Sequence, residues 1–393
     1  MLDSYPLGEI TPEQFLNEYW QKKPLLIRNA IADFAPPVSA DELAGLACEP
    51  EVESRLIIQN PDKDEWTLEH GPFDEDRFSS LPATHWTLLV QAVDHYSPDA
   101  KALLDAFRFI PNWRIDDLMI SYAPKGGGVG PHYDNYDVFL LQAEGTRRWE
   151  VGGKFDEHSP RKPDMPVMIL PEWEAEHTYT LNPGDMLYIP PQVGHNGIAQ
   201  SDDCMTYSIG FRAPSHADIL REFTDFVAEH TTREMRYADP DLTLQAHSAE
   251  ITDAAFDKVR ALFTAYINEP GLLEDWFGQY MTEPKYAESD TDEPNDIDRE
   301  ELSDYLAEGG YLFRSENARF AFRQKKVGNF VIFVNGVSCE MIANDSAFVY
   351  ALCEGDAIGK DQIQNDDHLE VVLELLNMGA LRTEIDDQDE EDV

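Results

Sequence analysis

A His-x-Asp pair at His132 and Asp134, answered further along by His195, constrains this chain more than any other feature of its sequence. An extended segment alternates its side chains with a period of two, so His132 and Asp134 fall on one side of it and Tyr133 on the other. His195 must then return from another strand of the same sheet or barrel. Two imidazoles and one carboxylate occupy one face of an octahedral metal and leave the opposite face open, the ligand set of non-haem Fe(II) sites. His-x-Asp alone is common in surface loops, so the segments around it decide its meaning.

Those segments read as short strands. The run Gly126-Gly127-Gly128-Val129-Gly130-Pro131 is a loop that no helix would tolerate, and it delivers His132. Val138 to Gln142 and Arg147 to Val151 are predicted strands joined by a turn at Glu144-Gly145. Asn182-Pro183-Gly184-Asp185 is a turn before the strand Met186 to Pro190, and Met205 to Arg212 supplies another. Short strands divided by Gly and Pro turns predict a small barrel or double sheet with the site at its mouth. In Arg147 to Val151, alternation puts Arg147, Trp149 and Val151 on one face, and the apolar partners Trp149 and Val151 mark that face as inward.

Outside the barrel the pattern changes. Thr11-Pro12 starts a helix, with Thr as N-cap and Pro in the first turn, and Phe15, Tyr19 and Trp20 form an apolar stripe read as core packing. After Pro214, Ile219, Leu220, Phe223, Phe226 and Val227 recur at helical spacing. So do Phe256, Val259, Leu262, Phe263, Tyr266 and Ile267, and then Leu272, Leu273, Trp276, Phe277 and Tyr280. So much apolar surface must be covered by a second copy or by the chain itself. An acidic, Pro-containing stretch at 285–298 reads as a linker. A helix at Arg299 to Ala307, an Asn335-Gly336 hairpin signal and an apolar helix from Val371 to Met378 ending at Gly379 follow, and residues 384–393 form an acidic tail.

Composition sets the class. The 393 residues carry 76 acidic against 30 basic side chains, a formal charge of −46 at pH 7. Such a field repels nucleic acid and draws basic proteins, so a basic polypeptide partner is expected and direct nucleic-acid binding is not. The same acidity also serves solubility or a saline habitat. Cys48, Cys204, Cys339 and Cys353 show no paired spacing, which fits a reducing compartment. With no leader pattern and no apolar run of spanning length, a cytoplasmic protein is expected and membrane association is not.

The proximal His-x-Asp, the run Asn182 to Pro191 and the distal His195 resemble the cupin-type, JmjC-domain 2-oxoglutarate oxygenases. Phe107 to Ser121, the glycine-rich loop, Tyr136-Asp137-Val138-Phe139 and Gly210 to Pro214 narrow the likeness. With them the chain is similar to the bacterial ribosomal oxygenases of the YcfD/RoxA type. The resemblance implies an α+β fold: a double-stranded β-helix over 1–214, a helical dimerisation region at 215–284, and a winged-helix-like domain at 299–383. It implies Fe(II) held by His132, Asp134 and His195, with 2-oxoglutarate and O2 as co-substrates.

Arg147 then grips the far carboxylate of 2-oxoglutarate, a bidentate task suited to a guanidinium, where most JmjC enzymes use Lys. Ser121 matches the position whose hydroxyl helps hold the same co-substrate. Tyr136 and Asn196 stand as supporting or substrate-side groups. The implied reaction hydroxylates the β-carbon of an arginine in a large-subunit (50S) ribosomal protein, by a homodimeric enzyme. Histidine hydroxylation or lysine demethylation of another basic protein are the alternatives within the class. A non-redox metal-binding cupin is the alternative outside it, and its usual His-x-His is contradicted by Asp134.

Overall fold

The computed structural model describes residues 5–286, 297–325, 328–341, 345–355 and 357–383. Most of the predicted acidic linker, Lys326 and the acidic tail lie outside them. The chain divides into two compact units, Met1–Ala213 and Pro214–Val393. Among the described residues no helix is long and apolar enough to cross a membrane.

The first unit runs α1 (Pro12–Glu18), β1 (Leu25–Ile27), α2 (Ala40–Leu46), β2 (Ser54–Asn60), β3 (Glu65–His70), α3 (Glu75–Ser79), β4 (Trp86–Val90), α4 (Pro98–Leu104) and β5 (Ile115–Ala123). It continues with β6 (Val138–Glu144), β7 (Arg147–Lys154), β8 (His177–Leu181), β9 (Met186–Ile189), β10 (Val193–Ala199) and β11 (Cys204–Phe211). Eight strands pair antiparallel in the order β1-β9-β6-β11-β5-β4-β2-β3, and three more in the order β10-β7-β8. The predicted turn at Glu144-Gly145 is present, but β6 and β7 do not pair with each other. Gly145, at φ 61°, passes the chain from the large sheet to the small one.

This arrangement buries the large sheet on both faces. Phe139 and Leu141 of β6, with Met186, Tyr188, Met205, Tyr207 and Ile209, pack outward beneath the helices. Val138, Leu140, Leu187 and Ile189 point the other way and meet Trp149, Val151, Leu181 and Val193 of the small sheet. A strand packed on both faces reads as a continuous apolar run, which is why Val138 to Leu141 lacks polar alternation. Thr11 caps α1, its Oγ1 accepting from the Gln14 N–H at 3.2 Å. Phe15 is fully buried among Tyr19, Trp20, Phe109, Phe139 and Tyr188, so the stripe is core as predicted.

The second unit comprises α5 (His216–Glu229), α6 (Asp253–Ile267), α7 (Leu272–Thr282), α8 (Arg299–Ala307), β12 (Leu312–Arg314), β13 (Phe320–Gln324), β14 (Phe330–Val334) and β15 (Val337–Met341). It ends with α9 (Ser346–Glu354), α10 (Asp366–Asn377) and β16 (Leu381–Thr383). Asn335 and Gly336 both take positive φ, 47° and 82°, as a tight two-residue hairpin turn requires. Leu302, Leu312, Ile332, Phe348 and Leu376 centre the core. α7 packs on the hairpin sheet, with Gln279 Nε2 donating to Ser338 Oγ at 3.1 Å and Arg323 paired to Glu274 at 2.9 Å. α6 buries none of its residues, and Phe256, Val259, Leu262, Phe263 and Ile267 stay exposed, with Leu220 of α5.

Candidate active site

His132 leaves the glycine-rich loop opposite His195 in an isolated antiparallel bridge, each N–H donating to the other's carbonyl at 3.0 and 2.8 Å. The bridge sets the two ring centroids 4.2 Å apart. The Asp134 carbonyl accepts from the Gln192 N–H at 2.6 Å, in the turn that leads into β10. One ligand atom from each of His132, Asp134 and His195 lies within 4.8 Å of the others. The imidazole Nε2 atoms stand 3.9 and 3.5 Å from Asp134 Oδ2. His132 Nδ1 is 2.8 Å from the Gly130 carbonyl and His195 Nδ1 is 3.0 Å from the Val193 carbonyl. A carbonyl only accepts, so each Nδ1 carries the proton and each Nε2 turns its lone pair to the common point.

The electrostatics suit ligation. Desolvation and the facing His195 bring the His132 imidazole down to about 4, so it is neutral at physiological pH. Desolvation works against the Asp134 charge, but the contacts of its carboxylate with the His195 and His132 imidazoles and the Tyr136 hydroxyl outweigh it, and the carboxyl falls to about 2. Tyr136, 43% exposed, hydrogen-bonds the same carboxylate, and Asp117 is near enough for its charge to act on the phenol. Two nitrogen donors and one oxygen donor, with no further His, Cys, Asp or Glu joining the cluster among the described residues, fit a metal that keeps open positions.

Arg147, Trp149 and Val151 face inward as alternation predicts, while Arg148 and Glu150 pair at 3.1 Å on the outer side. In the ladder His195 stands opposite Val151, Gly197 opposite Trp149 and Ala199 opposite Arg147. Residues directly opposite share a face, so Arg147 and His195 look into the same interior. Arg147 is 4% exposed, and its Nε and Nη2 have no hydrogen-bond partner. An unsatisfied buried cation costs several kcal/mol, on the order of 2–7 for even a neutral polar group, so this fork is built for an anionic ligand.

Ser121 lies buried on the large sheet, its hydroxyl donating to the Thr206 carbonyl at a long 3.4 Å. Ala123, two residues along β5, packs against Ala199, the ladder partner of Arg147, so the inner faces of the two sheets close on each other here. Gly197 keeps the interior open, since a Cβ there would sit 2.6 Å from the Trp149 ring.

Asn196 is placed apart from this group. Its Nδ2 donates to Glu150 Oε2 at 2.9 Å, on the outer face of the small sheet. Sequence reasoning also missed the Gln192 contact and a buried carboxylate at Asp137. Neither carries a local signal, because each works through a partner distant in the chain.

Barrel and tripod together are those of a JmjC-type oxygenase, and a JmjC domain family model matches residues 102–219. A ROXA-like winged helix model matches residues 262–382. The chain belongs to the bacterial ribosomal oxygenase family. It is 42% identical over 302 residues to the ribosomal protein uL16 3-hydroxylase of Escherichia coli, covering 76% of this chain and 79% of that one. It is 34% identical over 338 residues to a probable ribosomal oxygenase of Haemophilus influenzae, covering 83% and 81%. The structure of Escherichia coli YcfD in complex with cobalt and 2-oxoglutarate superposes with a TM-score of 0.84 at 34% identity, over 96% of this chain and 99% of the other.

Proposed function

We propose that this chain is an Fe(II)- and 2-oxoglutarate-dependent oxygenase that hydroxylates the β-carbon of an arginine in the large-subunit ribosomal protein uL16, in the cytoplasm. The observation that carries the reading is the buried, unsatisfied Arg147 guanidinium on the same interior face as His195. A metal-binding cupin with no co-substrate has no use for it. Likeness to the uL16 3-hydroxylase supports the choice of substrate.

His132, Asp134 and His195 hold the iron on one side. Arg147 grips the far carboxylate of 2-oxoglutarate in a bidentate pair, and Ser121 adds a hydroxyl from the facing sheet. When bound, iron and 2-oxoglutarate supply the oxidising power that turns O2 and a C–H bond into a hydroxyl, with succinate and carbon dioxide as by-products. The chain contributes position: Tyr136 orients the Asp134 carboxylate at the mouth, and Trp149, Val151 and Leu140 keep water from the interior. Tyr136, exposed beside the Asp134 carboxylate, stands on the side that a cationic substrate would approach. The net charge of −46 favours the approach of a basic protein over RNA phosphates.

Incubation with Fe(II), 2-oxoglutarate and a uL16 peptide should add one oxygen atom to the peptide by mass spectrometry. An unmodified peptide, with no succinate formed above a His132→Ala blank, sinks the reading. The exposed apolar face of α6 and Leu220 supports a homodimer closed by these helices. Light scattering should then give twice the chain mass, and a monomeric mass at micromolar concentration would overturn the dimer.

A further inference from the structure

The two ligands His132 and Asp134 stand on a segment that belongs to no regular strand, between the bridge at His132 and the start of β6 at Val138. Its far end is rooted by Asp137, which is fully buried. The Tyr188 hydroxyl donates to Asp137 Oδ1 at 2.5 Å and Gln21 Nε2 donates to Oδ2 at 2.9 Å. Arg114 Nη2 stands 3.7 Å from Oδ2, and the Asp137 carbonyl accepts from the Phe211 N–H at 3.1 Å. The same Tyr188 oxygen accepts from the Gln21 N–H at 2.7 Å, so Gln21 closes a ring of three bonds.

Two features mark this knot as more than core filling. Asp137 lies within three residues of Asp134 and next to Tyr136, which bonds the Asp134 carboxylate, so a shift at Asp137 passes directly into the ligand. Gln21 holds a left-handed φ of 57°, a conformation an ordinary side chain adopts at a cost of about 1 kcal/mol or more. It keeps a side chain there, where glycine would be free of strain, and that side chain reaches Asp137. The aromatic rings of Phe15, Trp20 and Phe139 around Tyr188 leave the knot no room to re-form elsewhere.

We propose that Gln21, Tyr188 and Asp137 are positioning residues for the metal centre, through which the turn after α1 sets the approach of the Asp134 carboxylate to the ion. The proposal rests on the tripod being a metal site. Groups that orient a ligand in this way typically govern about 10- to 100-fold in metal affinity.

Co(II) titration of the full-length protein, followed by absorption without peptide or co-substrate, tests it alongside the melting temperature. Gln21→Gly keeps the backbone N–H to Tyr188, relieves the left-handed strain and removes only the bond to Asp137. The relieved strain offsets part of the lost bond to the buried carboxylate, so the melting temperature should change little while Co(II) binding weakens by roughly 3- to 10-fold, a modest share of that range. Tyr188→Phe should weaken it about 10-fold or more. Asp137→Asn should also weaken it, and Asp137→Asn with Gln21→Glu, which reverses donor and acceptor, should restore much of the affinity. If wild-type protein binds Co(II) and both Gln21→Gly and Tyr188→Phe bind it within about twofold of wild type, the positioning role is wrong. If wild-type protein takes up no Co(II), the metal centre itself is wrong.

Discussion

Alanine at Asp134 is expected to lower 2-oxoglutarate turnover by about a thousandfold or more, equivalent to ~4 kcal/mol of lost metal binding and transition-state stabilisation. Asp134 is the one anionic donor of the three, and its carboxyl, held near 2, is charged at any working pH. Two imidazoles alone hold a divalent ion weakly. The fold should survive the change, because the backbone bond from Gln192 to the Asp134 carbonyl does not involve the side chain. Turnover and bound iron, measured together with the melting temperature, check this. An alanine variant with turnover within tenfold of wild type would remove Asp134 from the metal centre.

The second large effect belongs to Arg147. Arg147→Met should raise the KM for 2-oxoglutarate by about 100-fold or more, since two charge-assisted hydrogen bonds of roughly 1.5–3 kcal/mol each are lost. The ligand-free protein should become no less stable, and even more so, because a buried cation with unpaired Nε and Nη2 gives way to an apolar chain of similar length. Affinity and stability therefore move in opposite directions. Arg147→Lys should fall between, a point charge without the fork. Co-substrate titration and thermal unfolding of the three proteins read both effects, and an unchanged KM in Arg147→Met would place 2-oxoglutarate elsewhere.

Both residues are legible in the sequence, but for different reasons. Arg147 obeys the period-two rule, with β7 burying Arg147, Trp149 and Val151 while exposing Arg148 more, whereas Asp134 is marked only by its His-x-Asp spacing, on a segment outside the regular strands. The same rule applied one residue past His195 sets Asn196 on the outer face, where Glu150 binds it. Ser121 is reached only by family resemblance, since a serine on a strand announces nothing. The addition of β4, β2 and β3 to the large sheet is not legible, because Leu56 and Ile57 are adjacent and both buried and so break the alternation. The Asp137–Tyr188 bond joins residues 51 apart, and no local pattern encodes such a pairing.

The turn at Gly145 sends β7 into a sheet that shares no ladder with β6, and Arg147 and Ser121 consequently sit on opposite walls. A dicarboxylate held by both would act as a removable cross-link between the walls. The Gly126 N–H to the Ala199 carbonyl at 2.8 Å and the Ala199 N–H to the Gly127 carbonyl at 2.9 Å already tie the seam where Ala123 meets Ala199. The dicarboxylate would add to them, so amide protons on both sides are expected to exchange more slowly when it is bound. Such a brace would be reversible, stabilising the folded barrel by mass action with a strength set by the metabolite concentration of the cell.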